Sequence, residues 1–320
     1  MLMTFEQTAK LIQDGKLLHI AGAESLLRKL PQGKWIGGST EYFMDKDGGK
    51  ISGELLFVTQ FPSARFAVKT YSVQDISRVA EDAFENGFSI VIVPADSAVH
   101  KEYAQKAAEF DKMFLRNIAG WVSGVNLGIP GQAPLTVNGE AAQSFTDKAV
   151  ALHLEAPADK QVIINIVNIF EADPNSPLIE FTEEGFFVTK CLINGAETVF
   201  ADYIAQNSIN IKHPLVGDYS GSGINVSFRS VENGVVTLYA PVFRGIRYRM
   251  AKDVLDYEKV FNSHVAKLQD ANVVFSCNCI LNFLYGELEG KRIDALPGPI
   301  TFGEIAYGLV NQTLVYVTIS

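Results

Sequence analysis

Cysteine is scarce in this chain, with three residues among 320. They stand at Cys191, Cys277 and Cys279. An odd number spread over a long chain does not build a disulfide framework, which predicts a reducing, cytoplasmic location. The Cys277/Cys279 pair lacks a third and fourth ligand at a recognisable spacing, since His264 is the only histidine nearby. The sequence therefore predicts no metal site, and no cofactor motif is present.

Long apolar runs and blocks of like charge are also missing. The longest apolar run, residues 162–170, is too short to span a bilayer and contains two asparagines. The first residues lack the basic and apolar regions of a secretory signal. The net charge of −9 disfavours nucleic acid and anionic membranes as partners. We therefore expect neither nucleic acid nor membrane among the partners.

The hydrophobic content of 48% is ample for a full core, and the length suggests about two domains. Residues 76–84 carry an apolar stripe at helical spacing, and after Gly87 an unbroken apolar strand follows at 88–93. This order is typical of an α/β layer. We predict an α/β (α+β mixed) fold, with mixed β-sheets flanked by helices and two intimately packed halves. Regular periodicity fails at 206–222, which predicts domains at 1–207 and 208–320.

Local patterns predict four further elements. Residues 162–170 are expected to form a long buried strand and residues 186–193 a single strand. Asn233-Gly234 is predicted to be the turn of a β-hairpin. Val254, Tyr257, Phe261, Val265 and Leu268 recur at spacings of three and four, which predicts a packed helix.

The C-terminal stretch is predicted to hold a buried strand at 272–276, then a helix, and a final strand at 314–319 that closes a sheet. Cys277 is predicted at the strand-to-helix junction, where a helix N-terminus lowers the pKa of a thiol. A nucleophilic cysteine also needs a base and an oxyanion hole, and the sequence names no histidine partner. The competing interpretation is a small buried side chain.

Two glycine-containing motifs are candidates for a binding site. In residues 37–40, Gly-Gly-Ser-Thr, glycines allow close backbone approach beside two hydroxyls; the alternative is a tight turn. In residues 301–304, Thr-Phe-Gly-Glu, a buried Glu304 needs a partner, either a ligand ammonium group or an internal salt bridge or N-cap contact. We predict that the two motifs approach one another and line a ligand pocket. Asn311 either joins them or satisfies turn backbone.

Three arginines, Arg244, Arg247 and Arg249, form a local basic cluster. An arginine can hold a carboxylate through two hydrogen bonds. The alternative is that the cluster offsets acidic neighbours.

Several segments resemble, in order, the FIST sensory domains: residues 33–43 (GKWIGGSTEYF), 137–154, 186–204, then FSC at 275–277, GPITFGEI at 298–305 and NQTL at 311–314. The resemblance implies FIST N-terminal and C-terminal halves in a stand-alone bacterial protein. It implies a sensory role that binds a small ligand, of the class of amino acids or related metabolites, and acts through a separate signalling protein. Combined with the motifs above, it gives these expected ligand-binding residues: Gly38, Ser39, Thr40, Glu41, Cys277, Thr301, Gly303, Glu304 and Asn311.

Two alternatives stay open at this point. One is an enzyme that uses Cys277 as its nucleophile, although no catalytic residue is predicted. The other is an interaction protein without a ligand.

Overall fold

The computed structural model describes residues 1–62, 65–254, 256–265, 272–291 and 296–320. Its contacts divide the chain into two compact units. The first unit comprises residues 1–167, 261–309 and 313–320, and the second comprises 168–260 and 310–312. The predicted boundary at 207/208 differs from this division. The physical reason is that C-terminal strands pair with N-terminal ones inside the first unit, as Gly298–Thr301 does with Tyr42–Asp45.

The first unit contains three six-stranded sheets, which we call sheets I, II and III. In spatial order, sheet I consists of Leu2–Met3, Leu56–Phe61, Leu17–Gly22, Trp35–Ser39, Thr136–Asn138 and Gln143–Phe145. Sheet II consists of Gly308–Val310, Glu304–Ala306, Asn117–Ser123, Gly87–Pro94, Ala149–Glu155 and Phe66–Tyr71. Sheet III consists of Val162–Asn168, Thr313–Ile319, Val273–Cys279, Gly298–Thr301, Tyr42–Asp45 and Gly48–Ile51.

Each of these sheets mixes parallel and antiparallel pairs. The parallel pairs are Leu17–Gly22 with Trp35–Ser39, Gly87–Pro94 with Asn117–Ser123, and Val273–Cys279 with Gly298–Thr301. In its described residues the unit also holds four helices, Phe5–Gln13, Glu24–Leu27, Ala98–Lys106 and Ile280–Tyr285, and three short 3-10 turns, Ile76–Val79, Ala107–Glu109 and Met113–Leu115. The helix Tyr257–Val265 has residues in both units.

The second unit contains two antiparallel sheets and the helix Phe200–Gln206. Sheet IV consists of Ala196–Val199, Lys190–Ile193, Ile179–Glu180, Arg247–Met250, Leu215–Tyr219 and Ser222–Val226. Sheet V consists of Gly185–Val188, Val235–Val242 and Phe228–Glu232. The predicted α/β fold with mixed sheets is confirmed.

The N-terminal helix illustrates how local sequence starts an element. Thr4 accepts a hydrogen bond from the backbone N–H of Gln7, and the Gln7 side chain accepts one from the N–H of Thr4. This reciprocal capping box satisfies two N–H groups that the first turn leaves without partners. The helix then buries Thr8 and Ile12.

Three predicted elements differ from the structure. The apolar stripe at 76–84 forms only the 3-10 turn Ile76–Val79. This short turn already buries Ile76, Val79 and Ala80, so a longer helix is not needed to bury them. The segment 186–193 is two strands rather than one. The strand at 162–170, predicted to be buried, is the edge strand Val162–Asn168, where Ile163 and Ile166 stay 42% and 48% exposed. The predicted helix that includes Leu268 ends, as described, at Val265; Leu268 lies outside the described residues.

Candidate functional site

The hydroxyls of the Gly-Gly-Ser-Thr motif bind protein backbone. Ser39 is buried at the end of its strand, and its Oγ donates to the carbonyl of Gly124 (2.7 Å) and accepts from the N–H of Leu135 (2.8 Å). The Oγ1 of Thr40 donates to the carbonyl of Ile300 (2.7 Å). Buried hydroxyls with such partners fix the course of three segments of chain. Both side chains therefore hold the fold together where they lie.

Gly38 is required by packing. A Cβ at this position would lie 2.7 Å from Cγ2 of Ile92 and 2.8 Å from the ring of Trp121. The indole thus occupies the space that any side chain would need. The close approach expected from the sequence is an approach of Trp121 to the backbone.

Glu41 lies at a small cleft that is also lined by Ser39, Thr40, Glu24 and Asn126. Its Oε2 accepts a hydrogen bond from Nδ2 of Asn126 (2.7 Å). The volume open to the centre of a water molecule is about 10 Å³. This is room for about one water molecule, so the cleft is too small for a metabolite in this conformation.

Glu304 lies in a strand of sheet II with a fully buried side chain. Thr301 donates its hydroxyl to Oε1 (2.9 Å), and Thr313 donates its hydroxyl to Oε2 (2.8 Å). Burial raises the pKa of Glu304 to about 8, although the threonine hydrogen bonds oppose the shift. The carboxyl group is held by hydroxyls rather than by the salt bridge that the sequence offered as one alternative.

Gly303 adopts a φ of +147°, which favours glycine, and its carbonyl accepts from the N–H of Val122 (2.8 Å). The glycine lets the chain turn from the strand Gly298–Thr301 of sheet III into the strand Glu304–Ala306 of sheet II. Gly303 therefore directs the backbone from one sheet to the other.

Cys277 lies inside the strand Val273–Cys279, two residues before its end. The predicted junction is displaced to Cys279, because the strand keeps pairing with Thr313–Ile319 and Gly298–Thr301 up to that point. The thiol of Cys277 is buried and donates to the carbonyl of Gly120 (3.4 Å). Burial, with smaller contributions from Glu304 and Cys279, raises its pKa well above the usual value. These surroundings disfavour the thiolate that a nucleophile needs.

Asn311 is buried in the second unit, whereas the other eight expected site residues belong to the first. Its Oδ1 accepts from the backbone N–H of Ser227 (3.1 Å) and from the Ser227 hydroxyl (2.9 Å). Among the described residues, its Nδ2 has no hydrogen-bond partner. The amide oxygen of Asn311 thus binds Ser227 within the second unit.

The two glycine motifs do approach one another, through the Thr40–Ile300 hydrogen bond and through Trp121. The indole of Trp121 packs on Gly38, and its backbone pairs with Glu304 in sheet II. The small cleft nevertheless includes only Ser39, Thr40 and Glu41 of the expected residues. The carboxyl group of Glu304 does not line this cleft; it accepts hydrogen bonds from Thr301 and Thr313 instead.

A larger cavity lies in the second unit, and none of the nine expected ligand-binding residues lines it. Its volume is about 580 Å³, inside the range of about 300–1,000 Å³ typical of small-molecule sites. Its lining includes Phe170, Leu178, Val216, Asp218, Arg247 and Arg249. The signal in the sequence was the arginine cluster together with the glycines at 217, 221 and 223, which lack the spacing of a phosphate-binding loop.

The arginines reach this cavity because of the strand period. Arg247 and Arg249 are two residues apart in Arg247–Met250, so they point to the same face of sheet IV. Tyr248 points to the opposite face and is fully buried. Arg244, the third member of the cluster, precedes the strand and does not line the cavity.

Within the described ranges, no group of three or more His, Cys, Asp or Glu side chains is placed to hold a metal ion. Of the helices that the structure describes, none has the length and apolar character needed to cross a membrane.

Comparison with known proteins identifies the family of this chain. No curated protein matches the chain. A model of the DUF6976 family, described as a family of unknown function, matches residues 3–320. The FIST resemblance stays a prediction beside this match. Because the match extends over nearly the whole length, the chain belongs to the DUF6976 family, a family of unknown function.

Proposed function

We propose that this protein binds a small molecule in the cavity of its second unit. The observation that carries the proposal is the cavity of about 580 Å³, which combines apolar walls with arginine and carboxylate side chains. Small-molecule sites have this composition, with apolar lining and a few polar groups that orient the ligand. The FIST resemblance extends this proposal to a sensory role, in which the bound protein acts on a separate signalling protein.

The cavity is favoured over the Gly-Gly-Ser-Thr cleft for a physical reason. The cleft has about 10 Å³ available against about 580 Å³ in the cavity. The hydroxyls of Ser39 and Thr40 are also occupied by backbone groups. A ligand at the cleft would have to displace those hydrogen bonds, each worth about 1 kcal/mol to the fold.

The enzyme alternative finds less support in the geometry. Cys277 is buried and its pKa is raised, so a thiol reaction would have to begin from the unreactive protonated form. The proposal therefore concerns binding without covalent chemistry.

Methyl NMR with a library of small metabolites, amino acids included, tests the proposal. Ligands are expected to shift the methyl signals of Val216 and Leu178, which line the cavity, and to raise the melting temperature. The methyls of Val122 and Leu135, buried in the first unit, serve as controls. Ligands that shift only the control methyls would place binding elsewhere, and a library without any binder would remove the support for a ligand.

A further inference from the structure

Arg247 differs from Arg249 in what its side chain binds. The guanidinium of Arg249 donates to the carbonyl of Ser176 and is thereby fixed against its own unit. The side chain of Arg247 lines the same cavity and is exposed. Within the residues that the structure describes, it makes no hydrogen bond or ion pair. One guanidinium in the cavity is structural, and the other is available.

The acidic groups nearby do not neutralise Arg247 by direct contact. Asp218 lies opposite Arg247 on the neighbouring strand, and its Oδ1 accepts from the N–H of Gly221 (2.8 Å). Glu180 lies opposite on the other side. Glu171, at the cavity wall, pairs with Lys252 (2.7 Å). Asp218 and Glu180 thus lie beside Arg247 on the two adjacent strands, yet neither forms an ion pair with it.

The rest of the cavity has room beside this guanidinium. The turn at Gly221 carries no side chain, and a Cβ built there would meet no atom within 4 Å. Phe170, Leu178 and Val216 supply apolar surface to the same cavity. A ligand could therefore place an anionic group on Arg247 while an apolar body contacts these side chains.

We propose that the ligand of this cavity is a small organic acid whose carboxylate or phosphate binds Arg247. This inference rests on the proposed function, because it names the chemistry of a ligand in the same cavity. The guanidinium presents paired N–H donors that match a carboxylate or phosphate, and such charged hydrogen bonds are stronger than neutral ones. Arg247 is the specificity-determining residue, and Arg249 fixes the cavity wall.

The test uses three probes of similar size: benzoate, phenyl phosphate and neutral benzamide. Binding to the full chain is followed by the Val216 and Leu178 methyl signals. We expect at least one of the two anions to bind about tenfold or more tightly than benzamide. The anion that binds better tells a carboxylate site from a phosphate site.

Two variants assign the preference to one residue. Arg247→Gln should abolish the preference for the anion, and Arg247→Lys should keep only part of it, because a lysine retains the charge but loses the paired donors. Arg244→Gln is the matched control, since it removes the same charge three residues away and outside the cavity. It should leave binding unchanged. Melting temperatures of all three variants check that they are folded.

The outcomes separate this inference from the proposed function. If benzamide binds wild type as tightly as the anions, and Arg247→Gln changes nothing, the acid preference is refuted while ligand binding stands. Equal losses in Arg247→Gln and Arg244→Gln would show general attraction of anions and would also refute it. If no probe binds but the metabolite library yields neutral ligands that shift the cavity methyls, the inference fails and the proposed function survives.

Discussion

The buried carboxyl of Glu304 should make the stability of the first unit depend on pH. Burial raises its pKa from 4.5 to about 8, so the folded state holds a proton that the unfolded chain releases above pH 4.5. The group stabilises the fold fully below pH 4.5, and this contribution is lost progressively as the pH rises towards 8. Linkage over this interval gives a loss of about 3 kcal/mol between pH 5 and pH 8.

The variant Glu304→Gln isolates this effect, because glutamine has nearly the same shape and does not titrate. The difference in unfolding free energy between variant and wild type should move in favour of the variant by about 3 kcal/mol from pH 5 to pH 8. Urea unfolding followed by tryptophan fluorescence suits the measurement, since both tryptophans, Trp35 and Trp121, are buried in the first unit.

Glu54→Gln is the matched control for this measurement. Glu54 is an exposed glutamate in the same unit, and its replacement should leave the pH dependence unchanged. If Glu304→Gln and wild type gave parallel curves from pH 5 to pH 8, the carboxyl would be ionised or solvated in the folded protein. The reasoning from burial would then be refuted.

Three further predictions concern the core of the first unit and its thiols. Iodoacetamide should label Cys277 and Cys279 in the native protein near neutral pH far more slowly than it labels them in urea, since both thiols are buried. Mass spectrometry measures the labelling, and fast labelling of the native protein would support the enzyme alternative. Gly38→Ala should lower the unfolding free energy by about 1–3 kcal/mol, because the new Cβ would press on Ile92 and Trp121. Gly308→Ala is the control, since a Cβ at Gly308 would meet no atom within 4 Å. Equal effects of the two variants in urea unfolding would contradict the packing argument. The ring signals of His19 should not titrate between pH 7.5 and pH 5 in NMR spectra, because burial lowers its pKa to about 3 and its Nε2 accepts from the indole of Trp121 (2.9 Å); an inflection near pH 6.5 would show that the imidazole is hydrated.

The sequence predicted the fold class and many strands because apolar runs and turn residues are local signals. The apolar run at 88–93 is the central strand Gly87–Pro94, and Asn233-Gly234 forms the expected hairpin turn with positive φ at both residues. Pairing between distant strands has no such signal. The return of 298–301 to pair with 42–45 was therefore not predicted, and the domain boundary was placed elsewhere.

The burial of individual side chains was harder to predict for the same reason. The run at 162–168 is apolar except for two asparagines, yet it forms an edge of sheet III and exposes Ile163 and Ile166. Glu304 was recognised as buried, but the sequence does not show its partners Thr301 and Thr313. Thr313 is nine residues away and lies in a strand of sheet III, whereas Glu304 lies in sheet II. The residue type indicated that Glu304 needs a hydrogen-bond partner, and the topology of the strands determines which residues those partners are.

The contrast between Glu304 and Arg247 explains why the cavity, rather than the glycine motifs, is the better place for a ligand. Glu304 is wholly enclosed, and both of its oxygens already accept hydrogen bonds from threonines, so a ligand would gain little by reaching it. Arg247 keeps its donors in a cavity of about 580 Å³ and, among the described residues, binds none of them to the protein. An exposed arginine costs the fold little, whereas a ligand that satisfies its donors gains charged hydrogen bonds in a partly apolar setting. Unused hydrogen-bonding capacity next to open volume is what a binding site requires, and in the described part of this chain the second unit supplies both.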